Sequence, residues 1–345
     1  MKKIQKYLFA VLAFLLAPIQ VYVQRNFLLG LTGRDVHIDT PLSNIAIEAF
    51  ANGDYVATKL FPVVGVQKQS DLYYTITKDQ WLRLPTSTLR APKTTPRRVE
   101  FAVSSNGYFA HNYALAGENS FEALANADNP VQLRARTVRM VMDTLLRDLE
   151  QRVTNLVTSI SNIGSGVVLS GANLWSNYLS SDPIADVTTG HAFIRATTGI
   201  VPNTAVMDFD TYQVVRRHPL LLDMYKYTQG GMLQDAELKA LFKVSNLHIS
   251  SGIKNTANEG AAATMANIWG NNFLLAYVDP AAAGMQTKTM GLGFRWSPPE
   301  VGAGMQAKVY NDPDPGKKVE VVEVGYYQDE KIVAANLAYA ITTTL

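Results

Sequence analysis

At 345 residues, with 47% hydrophobic and 17% charged side chains and a mean hydropathy of zero, the chain is long enough for one large or two modest folded domains and too apolar for a disordered tail. A net charge of +2 excludes a global electrostatic pull toward nucleic acid or membrane, and the absence of cysteine excludes disulfides and thiolate metal sites. The five histidines (His37, His111, His191, His218, His248) stand outside helical or hairpin reach of one another, so the spacing writes no histidine metal site and no cofactor is expected.

Lys2, Lys3 and Lys6 precede an apolar run from Tyr7 to Val23, broken only by Pro18 and Gln20. That is the layout of a secretory signal, although Leu15-Leu16-Ala17 makes a poor cleavage site. The run is short for a membrane span and Pro18 interrupts it. A start further along the chain, or an arm packing on other subunits, are the other readings.

Asp39-Thr40-Pro41 then opens a short helical pattern through Ile45, Ile47, Ala49 and Phe50, ending near Gly53-Asp54. Phe61-Pro62-Val63-Val64 begins a strand region. Asp71 to Thr77 and Val99 to Asn106 alternate as strands, and between them lies Leu84 to Thr95, edged by Pro85, Pro92 and Pro96. Two strands joined by a long Pro-rich tip predict an extended hairpin arm. From Trp81 to Val99 the arm carries Arg83, Arg90, Lys93, Arg97 and Arg98 and no acid. These five are the candidate contact residues. Their counterpart is an acidic protein patch, nucleic acid or plain solvent. Only Trp81 is at hand for base stacking, which favours a protein contact.

Asn129 to about Ser159 predicts one long helix. Pro130 suits a first turn and Asn129 an N-cap. Val138, Val141, Met142, Leu145, Leu149, Val153, Leu156 and Ile160 draw one apolar stripe. Arg139, Asp143 and Arg147, then Asp148 and Arg152, alternate in sign at four-residue spacing, as helical ion pairs do. Without Gly or Pro from Val131 to Ser161, the helix would span roughly 45 Å. Ser161 to Gly166 reads as a turn, and Asp182-Pro183 and Thr188-Thr189-Gly190 as loops.

A second compact unit runs from about Val201 to Pro280. Thr204 to Met207 is a strand, and Asp208 caps a helix that Pro219 stops. Leu220 to Tyr227 and Asp235 to Phe242 are further helices, while Val244 to Ile249 and Trp269 to Val278 are strands. Such alternation suits a sheet flanked by helices. The tail returns to strand over Gly291 to Trp296, Gln306 to Tyr310, Lys318 to Tyr326 and Lys331 to Thr344, with a turn at Asp312-Pro313-Asp314-Pro315-Gly316.

No phosphate loop, dinucleotide fingerprint, nucleophile elbow or zinc-protease motif occurs. Asp312, Asp314 and Glu323 approximate a calcium loop, but the glycine falls one place early and two prolines stiffen it, so a β-turn is expected. Glu320 and Glu323 point to opposite faces of a strand, which leaves no acid–base pair. No catalytic residue, metal site or small-molecule substrate is assigned.

The order of arm, long helix, α/β unit and β-rich tail resembles the major capsid proteins of tailed bacteriophages with the HK97-type fold. The most specific stretch is Pro202-Asn203-Thr204-Ala205-Val206-Met207-Asp208 with Tyr212 and Arg217-His218-Pro219. Lys226-Tyr227, Leu238 to Val244, Ile268-Trp269-Gly270, Phe61-Pro62-Val63 and Ala335 to Ile341 continue the likeness, which covers about residues 40–345. The resemblance implies an α+β HK97-like chain. Residues 1–60 form an N-terminal arm and 61–118 an extended loop lying over a neighbour. Residues 119–200 form a peripheral domain with a spine helix, 201–285 an axial domain around five- and six-fold vertices, and 286–345 a β-rich return to the peripheral domain.

It further implies self-association into hexamers and pentamers, a separate scaffolding protein and a portal. It also implies non-specific contact with packaged double-stranded DNA, assembly in the host cytoplasm and a place in the virion. The competing readings are a secreted or surface binding protein with a signal peptide, and an encapsulin-type compartment.

Overall fold

The computed structural model describes residues 37–38, 40–51, 55–76, 82–84, 86–96, 98, 103–127, 130–225, 233–279, 281, 288–297, 305–314 and 316–345. The apolar run of the first 25 residues, Trp81, Pro85, Arg97, Asn129 and Lys226-Tyr227 lie outside them.

In chain order, β1 (His37–Ile38) leads into α1 (Thr40–Ala51) and the short α2 (Ala57–Leu60), then β2 (Val63–Val66), β3 (Ser70–Ile76), β4 (Val103–Phe109) and β5 (His111–Ser120). Helices α3 (Phe121–Asn126) and α4 (Pro130–Thr158) follow, then β6 (Ser165–Val168), α5 (Pro183–Thr198), β7 (Thr204–Asp208), α6 (Phe209–Val215), α7 (Pro219–Tyr225) and α8 (Asp235–Leu241). The remainder is β8 (Asn246–Ser250), β9 (Ile253–Asn255), β10 (Met265–Asn267), β11 (Asn272–Ala276), β12 (Gly291–Trp296), β13 (Met305–Asn311), β14 (Val319–Ile332) and β15 (Ala338–Thr342).

The long helix α4 runs 29 residues, and the expected stripe is its buried face, with Val138, Met142, Leu145, Leu149 and Val153 at or near zero exposure. Asp143 and Arg147 form an ion pair on the exposed flank, and Asp148 and Arg152 form another where the helix meets the sheet. Helix α4 lies across a six-stranded sheet of order β1-β13-β14-β12-β2, with β5 on the other flank of β14. Pairing is antiparallel except between β12 and β2. A second sheet, β6-β15-β11-β7-β8, carries α5 against it through the Phe193 and Tyr339 rings. Strands β3 and β4 form a separate two-stranded ribbon.

Three expectations are corrected. Asp182-Pro183 and Thr188-Thr189-Gly190 are not loops but the start and middle of α5. Asp182 Oδ1 accepts from the N–H groups of Ile184 and Ala185, Pro183 occupies the first turn, and Gly199 closes the helix at φ 72°. Gly190 faces Tyr339 so closely that a Cβ would come within 2.8 Å of the ring. Tertiary packing thus overrides weak local propensity.

The arm is narrower than residues 61–118: only β3 and β4 leave the main body, while β2 and β5 are strands of the first sheet. The last strand also changes company. Residues 338–342 sit between β6 and β11 in the second sheet rather than with β14.

Candidate assembly interface

The arm ribbon has two chemically distinct faces. Tyr73 and Tyr108 turn inward and stack on Phe294, with ring centroids 5.3 and 4.6 Å away, inside a small core with Val64, Val66 and Leu292. Because opposite residues share a face in an antiparallel pair, Leu72, Tyr74 and Phe109 line the other face, and all three are exposed. At the root, Trp296 Nε1 donates to Gln67 O at 3.0 Å and Tyr108 Oη donates to Lys68 O at 3.2 Å. The arm is held firmly at its base and presents apolar surface outward.

Arg83, Arg90, Lys93 and Arg98 stand exposed on the segment joining β3 to β4, and Arg97 lies outside the described residues. Arg90 Nε donates to Thr94 O at 2.5 Å, and Ala91 O accepts from Thr94 Oγ1 at 2.7 Å. These bonds close a tight turn with Lys93 at φ 64°. Neighbouring Leu84 and Leu89 are 90% and 92% exposed. Cations and large apolar side chains therefore share one projecting segment, and none of the four cations has an ion pair among the described residues.

What carries the arm is fastened by polar ties that the sequence reading missed. Glu150, fully buried on α4, accepts at Oε2 from Ala57 N at 2.7 Å and at Oε1 from Trp269 Nε1 at 2.5 Å and Ser250 Oγ at 3.4 Å. One carboxylate thus joins the long helix to α2 and to the α/β unit. Burial pushes its carboxyl up, and the bonds from Trp269 and Ala57 pull it back. The signal was legible, since Glu150 falls four residues after Leu146 and three before Val153, inside the apolar arc.

Arg152 lies 3.6 Å over the Tyr113 ring and reaches Glu330 and the Tyr326 hydroxyl at 3.3 Å. Tyr55 donates to Asp143 at 2.7 Å, and burial, with that carboxylate, raises its phenol to about 12.

The acidic residues singled out near the tail have partners within the fold. Glu320 is held by Arg134, while Glu323 accepts from the Tyr310 hydroxyl at 3.3 Å. The Asp312 loop is a turn in which Asp314 N donates to Asp312 Oδ1 at 2.9 Å and Lys317 pairs with Asp312 at 3.5 Å. Among the described residues no group of three or more His, Cys, Asp or Glu could hold a metal. A cavity of about 450 Å³ between α2, β2 and the second sheet is lined by Lys59 and His248 among others, and among the described residues no carboxylate lines it.

No family model matches the chain. It is 26% identical over 307 residues to the major capsid protein of Pseudomonas phage JBD67, covering 88% of this chain and 95% of that protein. Against the major capsid protein of Burkholderia phage BcepMu it is 25% identical over 259 residues, 73% and 80% of the two chains. Among solved structures, a phage-related protein from Bordetella bronchiseptica superposes with a TM-score of 0.71 at 22% identity, over 90% of this chain and 98% of that one. The mature capsid of bacteriophage PhiM1 superposes at 0.51 and 10% identity, over 84% and 87%. The chain has the HK97-type capsid fold.

Proposed function

We propose that the chain is the structural major capsid protein of a tailed DNA phage, in which identical copies close into an icosahedral shell around double-stranded DNA. The observation that carries this reading is the capsid fold joined to 26% identity with a phage major capsid protein over 88% of the chain. Its role is geometric rather than catalytic. The exposed apolar face of the arm, with Arg83, Arg90, Lys93, Arg97 and Arg98, supplies the contact to a neighbouring subunit. An exposed patch of that kind is a liability on a monomer and an asset in a shell. Helix α4 is the spine, the sheet of β14 the peripheral body, and the unit around β7 and β11 the axial domain. Head-to-tail contacts between identical copies close into rings, here hexamers and pentamers. A separate scaffolding protein and a portal are the further partners, and packaged DNA is touched without sequence preference. Assembly takes place in the host cytoplasm and the protein ends in the virion.

The test is expression with any scaffold encoded beside the gene, followed by sedimentation and negative-stain microscopy. Hollow particles far larger than the 37.9 kDa subunit are expected. Monodisperse monomers or dimers in the presence of scaffold overturn the reading. Particles holding a protein cargo instead of DNA favour a compartment, and export with cleavage near Ala17 favours a secreted binder.

A further inference from the structure

Among the described residues strand β5 has one partner, β14, and one open side, and its hydrogen bonds reveal which residues face each. Phe121 N donates to Lys318 O at 3.0 Å, in register with a ladder that sets Ser120 opposite Val319 and His111 opposite Gln328. In an antiparallel strand the N–H and C=O of one residue point the same way and the direction alternates along the chain. Odd-numbered residues from 111 to 121 therefore bond toward β14. The parity continues across the arm root. Phe109 N donates to Asp329 Oδ2 at 2.9 Å on the β14 side, and Ala110 N donates to Gln69 O at 2.8 Å on the β3 side. Asn112, Ala114, Ala116 and Glu118 thus turn their backbone groups to the β3 side, where no strand pairs with β5 among the described residues.

Natural sheets blunt such edges with Lys, Pro, bulges or short strands. β5 has none of these. It runs ten residues, keeps one register against β14 throughout, and contains no Lys, Arg or Pro. The side chains at 112, 114, 116 and 118 are all exposed, and Ala114 and Ala116 leave room for another backbone to approach.

We propose that the outer edge of β5 is an intersubunit docking edge that receives an extended strand from a second copy of this chain, paired with Asn112, Ala114, Ala116 and Glu118. The proposal rests on the capsid reading for the presence of neighbouring copies. Two features select a second copy as occupant. The edge is continuous with the arm, whose exposed face is the contact surface proposed above. Its one carboxylate, Glu118, also complements the all-cationic tip of another arm.

Hydrogen exchange of wild-type protein, free and assembled, tests this directly. The amides of 112, 114, 116 and 118 should exchange freely in the subunit and become protected in particles, while the odd-numbered amides are protected in both. A second arm uses the Ala114→Pro/Ala116→Pro variant. It removes only outward N–H groups, a change that edge strands tolerate. It should leave subunits folded by circular dichroism but without particles by sedimentation.

The proposal is overturned if the even-numbered amides exchange equally fast in particles, if the double-proline variant forms normal shells, or if protection appears only with a different protein bound. Should the variant not fold, the exchange measurement on wild type decides alone. Failure of wild type to assemble at all is a different result, and it brings down the capsid reading first.

Discussion

Arg134 and Glu320 meet in a two-pronged ion pair. Arg134 Nε donates to Oε1 at 2.7 Å and a terminal nitrogen to Oε2 at 2.6 Å, with the Glu320 side chain only 9% exposed. The pair fastens the first turns of α4 to β14, the strand shared by β5, β12 and β13. Arg134→Ala leaves a carboxylate buried without its partner, which costs about 2–3 kcal/mol, the lower end for a broken buried pair because Arg134 is partly exposed. Arg134→Lys should recover only part, since a point charge cannot reproduce the fork. Urea unfolding of unassembled subunits reads both, and equal midpoints for wild type and Arg134→Ala would refute the tie.

Gly117 sets how closely β5 crosses α4. A Cβ there would lie 2.4 Å from Thr137 Cγ2 and 3.3 Å from Val141 Cγ2. Gly117→Ala should therefore destabilise by about 1–3 kcal/mol through overpacking. Adding Thr137→Ser removes the offending methyl while keeping the hydroxyl that donates to Asn119 Oδ1 at 2.8 Å. The double variant should regain much of the loss. Simple additivity of the two changes would show that the clash is not what matters.

Acid should loosen the fold first through its histidines. Ser181 donates to Asn177 O at 2.7 Å, so its oxygen accepts from His218 Nε2–H at 3.0 Å. His218 Nδ1 is then a bare acceptor, buried with no partner. Burial lowers its pKa from 6.5 although Asp182 pulls the other way, and burial lowers His191 and His248 as well. The folded rings bind protons less readily than the unfolded ones. Their contribution is complete above 6.5 and is lost as pH falls below 6.5 toward the folded values. Glu150, Asp186 and Asp208 are raised by burial and act in the opposite sense. They favour the folded state as pH falls through their raised values toward the ordinary 4.5 and 3.8. The histidine contribution to the urea midpoint should thus fall as pH drops below 6.5. His218→Gln should be weaker at pH 7 but shallower in its pH dependence. An unchanged slope would clear His218 of this role.

The arm cations make a prediction about assembly. Each exposed contact is worth only ~0.2–1 kcal/mol, yet every subunit repeats it, and many modest contacts add. Reversing Arg97 and Arg98 to Glu should weaken or block particle formation and leave the circular dichroism spectrum intact. Added salt should weaken wild-type assembly in the same direction, because exposed charges are screened. Normal shells from the double variant would show that these charges do not hold the interface.

What could be read from the sequence follows from how locally each element is determined. Helix α4 was legible because its stripe, ion pairs and freedom from Gly and Pro over residues 131–161 all agree. Asp182-Pro183 misled because the same dipeptide serves a turn and a helix start, and Gly190 reads as a breaker although it sits mid-helix where Tyr339 packs too closely for a Cβ. β5, with Asn112, Ala114, Ala116 and Glu118 exposed, shows no clean alternation. The five arm cations were visible as a charge run. The apolar face of Leu72, Tyr74 and Phe109 emerges only once the β3–β4 register is known.

β15 has a consequence for biosynthesis. It is the second strand of its sheet by position, wedged between β6 and β11, yet it follows every other described strand along the chain. A ribosome-bound chain that has not yet emitted residues 338–342 holds β7, β8 and β11 with an open seam, and β6 has nothing to pair with. Nascent chains and truncated fragments alike therefore lack a closed α/β unit. A chain truncated before Ala338 therefore loses the strand that joins β6 to the rest of this sheet.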